Sequence, residues 1–289
     1  MRSTVSLLLV LVLASIAVAR TTAKVETTSH VAALDGMRVH YTSSGSGHEA
    51  LVFVHGWTCD STFWDAQVPA FAERTRVLAI DLPGHGKSDA PKTTYSMDLF
   101  ARAIDAVMRD AKVERAVLVG HSMGTPVVRQ FARSYPSKTL ALVVVDGALK
   151  PFMPRAVAES MLVPMRGPKY AEAAAGMIDQ MTAPMKDPAA RSAVKAKMLA
   201  TPQHVAVSAF EGMSDDAIWK DDPIGVPVLA IMVKNPYYPA DLEASYRTVA
   251  PDLEFQMWDG VSHFLMIDDA ARFNATLAAF LAKRKLAGY

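Results

Sequence analysis

In Ala116-Val117-Leu118-Val119-Gly120-His121-Ser122-Met123-Gly124-Thr125, an apolar run without polar alternation leads into a Gly-x-Ser-x-Gly turn. Unbroken apolar residues fit a strand covered on both faces, as in the middle of a parallel sheet. The text from Thr125 to Ser134 has the period of a helix. A buried strand that passes so abruptly into a helix forces the middle residue into a strained backbone conformation. Neighbours without bulk, Gly120 and Gly124, make that bend feasible. Ser122 is then expected at the apex, with its hydroxyl exposed and the helix N-terminus below it.

Similar buried runs occur at Ala50-Leu51-Val52-Phe53-Val54, Val77-Leu78-Ala79-Ile80, 140–145 and 228–233. An alternating pair of strands is expected within 25–42, turning at Asp35-Gly36. Helical patterns lie between the buried runs. After Ser96, an expected N-cap, Phe100, Ala103, Ile104, Val107, Met108 and Ala111 fall on one stripe. Strands alternating with helices imply an α/β fold, a mostly parallel sheet flanked by helices. Residues 151–222 break this rhythm. They offer helical stretches divided by prolines, no buried strand, and eight of the sixteen methionines: Met153, Met161, Met165, Met177, Met181, Met185, Met198 and Met213. An inserted helical lid over 151–222 is expected, with 20–150 and 223–289 forming the core. Its methionines suit either flexible packing between short helices or an adaptable apolar wall.

Composition removes several functional classes. Thirty basic and twenty-nine acidic residues give a formal net charge of +1, which disfavours a surface built to wrap nucleic acid. The one cysteine, Cys59, forms neither an internal disulfide nor a thiolate cluster, and is expected to be a half-buried small residue. Arg2, the apolar run over 5–18 and Ala17-Val18-Ala19 have the order of a secretory signal cleaved after Ala19. The run is shorter than the roughly 20 residues of a membrane span, so export to the periplasm or medium, without stable membrane insertion, is expected.

A serine nucleophile needs a base and donors for the developing oxyanion. Of eight histidines, His263 is the best-placed base, between a short strand at 253–257 and the final amphipathic helix. Trp57, in the loop Val54-His55-Gly56-Trp57, and Met123, beyond the serine, are the expected backbone donors. The loop Asp81-Leu82-Pro83-Gly84-His85-Gly86 lacks the setting of a phosphate-binding loop and is expected to be structural. No metal-ligand spacing is present, and neither a metal nor another cofactor is called for.

Together the His55-Gly56 turn, the Pro83-Gly84-His85-Gly86 loop, the elbow at Ser122 and the late His263 resemble the alpha/beta-hydrolase superfamily. The resemblance is strongest to its lid-bearing serine esterases and their perhydrolase-like relatives. It implies an eight-stranded sheet with the lid after the sixth strand, attack by Ser122 on an acyl carbon, proton transfer by His263, and an oxyanion hole from Trp57 and Met123. Relatives commonly place the acid after the seventh strand, where this chain has Asn235. Others place it after the sixth, where Asp146 stands. Asp146 is the expected acid, with Asn235 and Asp241 as alternatives. Dehalogenases and epoxide hydrolases of the superfamily use an aspartate nucleophile, so Ser122 implies an acyl-enzyme. The expected partner is a small to medium ester, or a lactone or perhydrolysis substrate handled by the same residues. An exported scaffold that only binds a ligand is the non-enzymatic alternative. The expected pocket is mostly apolar and bordered by His55, Gly56, His121, Tyr237 and Tyr238. Phe152, Tyr170, Phe210 and Trp219 are the lid's aromatic contributors. The lid cations Arg155, Arg166, Lys169, Lys186, Arg191, Lys195 and Lys197 are expected mainly on a solvated face.

Overall fold

A computed structural model describes residues 25–289 with the exception of Phe152. The expected export segment 1–19 and the lid aromatic Phe152 lie outside the described residues. The chain enters through a hairpin of β1 (Thr27–Leu34) and β2 (Met37–Ser44). Asp35 and Gly36 turn between them with φ of 50° and 82°. Two left-handed residues give a two-residue loop whose twist matches that of the paired strands.

Strands and helices then alternate: β3 (Glu49–Val54), α1 (Val68–Ala72), β4 (Arg76–Ile80), α2 (Met97–Asp110), β5 (Arg115–His121), α3 (Gly124–Ser134) and β6 (Thr139–Val145). Four helices follow without a strand: α4 (Arg155–Met165), α5 (Tyr170–Thr182), α6 (Pro188–Leu199) and α7 (Gln203–Met213). The core resumes with β7 (Val228–Val233), α8 (Leu242–Arg247), β8 (Leu253–Trp258), α9 (Leu265–Asp268) and α10 (Ala270–Arg284). The eight strands form one sheet in the order β1-β2-β4-β3-β5-β6-β7-β8. Only β2 pairs antiparallel to its neighbours; the rest of the sheet is parallel.

This architecture follows from burial. All six residues of β7 are buried, and β3, β5 and β6 expose only their first or second residue, because helices cover both faces. The Ser96 side chain accepts from the Leu99 amide and starts α2 where the sequence predicts it. Strand order reverses around β3, which has β4 on one side and β5 on the other. Ligands of open α/β sheets bind at such a reversal, beyond the carboxyl ends of the strands. The loop after β3 and the turn after β5 meet there.

The inserted helices are attached to the core mainly through α7. Tyr95 donates its amide to Ser208 Oγ at 3.0 Å, and the Trp57 indole donates to the Ala206 carbonyl at 2.7 Å. Most lid methionines pack inward: Met165, Met185 and Met198 are buried, while Met161, Met177, Met181 and Met213 are partly buried against them. Met153 is exposed. Packing between short helices therefore accounts for most of the methionine enrichment. No helix among the described residues is long and apolar enough to cross a membrane.

Candidate active site

The elbow is built by steric necessity. Ser122 has φ of 51°, a left-handed conformation that costs an ordinary residue about 1–2 kcal/mol. Its amide donates to the Val145 carbonyl at 2.9 Å, and its carbonyl accepts from the Thr125 amide at 2.9 Å. A Cβ at position 120 would lie 2.5 Å from the Gly124 carbonyl oxygen; one at 124 would lie 2.5 Å from that of Val54. The two glycines let β3, β5 and α3 close around the bend. Ser122 itself is only partly buried, at the start of α3.

Asp146 follows β6 and is also left-handed, with φ of 44°. Its amide donates to the Ile231 carbonyl at 2.8 Å. Its side chain is fully buried, and Oδ2 lies 2.6 Å from His263 Nδ1. Oδ1 accepts from the Val233 amide at 2.9 Å and from the Tyr238 hydroxyl at 3.0 Å. These contacts compensate the loss of water around the carboxylate. With Nδ1 facing Asp146, His263 presents Nε2 as its other ring nitrogen. Its loop is fixed by the Ser262 amide on Asp268 Oδ2, at 2.5 Å, and by Gln67 Nε2 on the Met266 carbonyl, at 2.9 Å.

His263 lies beside the elbow, since its ring centroid is 4.7 Å from that of His121. The alternative acids lie elsewhere in the hydrogen-bond pattern. Asn235 Oδ1 accepts the Tyr237 amide at 3.0 Å, and Asp241 is an exposed residue before α8 whose side chain makes no capping bond.

The proposed donor loop turns directly after β3. Cys59 donates its amide to the Gly56 carbonyl at 3.2 Å, and Thr58 has φ of 56°. Trp57 and Met123 are buried, and among the described residues neither backbone amide donates to a protein acceptor. The Met123 amide is open because the first amides of a helix have no intrahelical partner. Gly56 keeps the two loops close, as a Cβ there would stand 3.1 Å from Ser122 Cβ.

Two of the expected pocket residues, His55 and His121, are enclosed. His55 is wholly buried and joins two loops: Nδ1 donates to the Gly56 carbonyl at 2.8 Å, and Nε2 accepts from the Leu82 amide at 3.0 Å. His121 is also wholly buried. A carbonyl oxygen only accepts, so His121 Nε2 is the donor to the His263 backbone carbonyl, at 2.9 Å. Burial and the nearby His263 charge lower the His121 pKa well below its usual value, keeping the ring neutral. Both imidazoles brace loops through these hydrogen bonds. A histidine inside such a turn has no periodicity that reveals this role.

The loop after β4 is held together by hydrogen bonds around Asp81. Asp81 accepts from the amides of Ser61 at 2.7 Å and Lys87 at 2.9 Å, and faces His40 Nδ1 at 2.8 Å. Burial opposes ionisation of Asp81, but those amides outweigh it and hold the carboxyl below its usual range. The His40 partnership is absent from the sequence reading because 41 positions separate the pair. Cys59 is more buried than expected, and burial raises its thiol pKa well above the ordinary value. A groove of about 790 Å³ between this region and the start of α7 is lined by Asp60, Asp81, Lys87 and Lys197, but not by Ser122, Asp146 or His263.

Most lid cations named from sequence have local partners. Arg155 pairs with Asp216, Arg166 with Glu159 and Glu211, and Lys195 with Asp179. Arg191 donates to the carbonyls of Ala183 and Met185, and Lys197 to Thr62. Lys169 and Lys186 are exposed.

Comparison with known proteins agrees with this architecture. Residues 49–176 match the family described as alpha/beta hydrolase fold. The 2-hydroxy-6-oxononadienedioate/2-hydroxy-6-oxononatrienedioate hydrolase of Paraburkholderia phymatum is 29% identical over 286 residues, covering 89% of this chain and 96% of that protein. The bifunctional esterase/perhydrolase DCH of Acinetobacter calcoaceticus is 36% identical over 126 residues, 43% of this chain and 46% of that protein. Among solved structures, an esterase of Exiguobacterium antarcticum superposes with a TM-score of 0.77 at 19% identity, covering 87% of this chain and 98% of that one. The N-acyl homoserine lactone degrading enzyme Est816 superposes with a TM-score of 0.74 at 24% identity, covering 87% and 100%. Sheet order, helical insertion and superposition together give this chain the alpha/beta-hydrolase fold, and residues 49–176 carry the sequence similarity to the family of that name.

Proposed function

We propose that the protein is a serine hydrolase that cleaves small to medium carboxylic esters through an acyl-enzyme. The observation that carries this reading is the buried Asp146 carboxylate on His263 Nδ1, at 2.6 Å, beside the strained Ser122 turn. Ser122 Oγ attacks the ester carbon as His263 Nε2 takes its proton, and Asp146 stabilises the resulting imidazolium. The Trp57 and Met123 amides receive the oxyanion. Collapse expels the alcohol, which receives the proton from His263. Water activated by the neutral imidazole then releases the acid and restores Ser122. The insertion over 151–222 covers the acyl group in this reading, and 1–19 directs export.

Commitment of Arg155, Arg166 and Lys195 to local carboxylates favours a neutral ester over a dianionic substrate. A lactone is a cyclic neutral ester and uses the same chemistry; perhydrolysis replaces water with hydrogen peroxide at the acyl-enzyme. Labelling with a fluorophosphonate should add mass to the Ser122 peptide, and Ser122→Ala should abolish both labelling and hydrolysis of p-nitrophenyl esters. Full ester turnover by the Ala variant would overturn the reading, whereas folded protein inert to the probe and to esters would favour a ligand-binding scaffold. The mass of protein recovered from export should begin at Arg20 if the leader is cleaved after Ala19.

A further inference from the structure

We infer that Tyr238 is a positioning residue for the proposed catalytic acid, acting from the strand-end loop in which relatives commonly carry the acid itself. The inference rests on the assignment of Ser122, His263 and Asp146. The two oxygens of Asp146 have different environments. Oδ1 accepts from the Val233 amide at 2.9 Å and from the Tyr238 hydroxyl at 3.0 Å, while Oδ2 faces His263 Nδ1 at 2.6 Å. Val233 ends β7 and Tyr238 lies in the loop beyond it, so one segment supplies both donors. The anchored oxygen keeps the carboxylate from rotating, and rotation would exchange the oxygen offered to the imidazole.

Asn235 helps form the turn that brings the tyrosine back. Its side-chain carbonyl accepts the Tyr237 amide at 3.0 Å, and its backbone carbonyl accepts the Tyr238 amide at 3.1 Å. Asn side chains stabilise such turns by mimicking a backbone acceptor. Tyr237 points outward and is 86% exposed, whereas Tyr238 reaches the buried carboxylate. Burial, followed by the Asp146 charge, raises the Tyr238 pKa well above the ordinary phenol value. The hydroxyl therefore keeps its proton and remains a donor. Asn235 occupies the familiar acid position as part of a turn, while Tyr238 from that turn supports an acid held on β6.

Tyr238→Phe keeps the ring and removes the donor. A hydrogen bond to a charged group contributes enough that kcat should fall about tenfold, with KM nearly unchanged. The downfield proton resonance of His263 Nδ1–H should move as well, because it reads the bond to Asp146 directly. In an Asp146→Asn background the same Phe substitution should cause little further loss, since the carboxylate through which Tyr238 acts is gone. Wild-type kcat with an unmoved resonance in Tyr238→Phe would overturn the inference, as would an equal kcat loss in both backgrounds. If Asp146→Asn alone retained wild-type turnover, the acid assignment itself would fall, a result distinguishable from failure of the tyrosine's role.

Discussion

Ser122 and Asp146 each occupy a left-handed conformation at the carboxyl end of a buried strand, with φ of 51° and 44°. Non-glycine residues in sparse backbone regions cost on the order of 1–3 kcal/mol, and neighbouring contacts must hold them there. Here the contacts belong to adjacent strands: Ser122 donates to Val145, and Asp146 donates to Ile231. The side chains are thereby directed beyond the sheet edge. On the proposed mechanism, Asp146→Asn keeps the size of the acid but loses the charge that would stabilise imidazolium and fix the His263 tautomer. The expected result is a drop in kcat of about 10³–10⁴-fold on p-nitrophenyl esters. Asp241→Asn, at an exposed position without a capping bond, should leave kcat within about twofold of wild type. Reversal of those two results would move the acid to the later loop.

At the scale of elements, the contact that matters most is between α7 with its preceding turn and the loop after β3. Thr201 Oγ1 donates to the Thr58 carbonyl at 3.1 Å, and the Trp57 indole donates to Ala206 at 2.7 Å. The inserted helices thus hold both sides of the turn that presents the Trp57 amide. Thr201→Val preserves the branched shape but leaves the buried Thr58 carbonyl without this donor. Stability should fall by about 1–3 kcal/mol in urea denaturation. The same change should lower kcat by about threefold or more, because the proposed oxyanion donor would be less firmly placed. Lost stability with unchanged kcat would show that α7 supports the fold without acting on the donor loop.

Across the whole molecule, three buried imidazoles make the fold sensitive to acid. Burial lowers the pKa values of His55 and His121, and that of His85 to about 3 from an ordinary 6.5. A depressed folded-state pKa means that the unfolded chain binds more protons across this interval. The stabilising effect is fully present above about 6.5 and is lost as pH falls toward about 3. Asp81, held below its usual 3.8, adds to acid lability only in the most acidic part of this range. The free energy of unfolding should therefore decline between pH 7 and 4. His85→Asn should flatten that decline by about one proton, measured as the pH slope of urea-unfolding free energy. An unchanged slope would show that His85 titrates alike in the folded and unfolded chains.

The alternation of unbroken apolar runs with amphipathic helices was sufficient to determine a parallel sheet covered on both faces, and the interruption over 151–222 marked the helical insertion. The paired glycines around Ser122 also made the elbow legible, because the crowding at Gly120 comes from Gly124, four residues on. The proposed acid could only be narrowed to Asp146, Asn235 or Asp241: a loop carboxylate has no periodicity, and its partner His263 lies 117 positions away. Local sequence was equally silent about the loop-bracing roles of His55 and His121, which depend on the Leu82 amide and the His263 carbonyl of distant segments. Tertiary packing sets three strand ends side by side, and so determines that Asp146 is the carboxylate that faces His263 and that the His55 and His121 rings are enclosed.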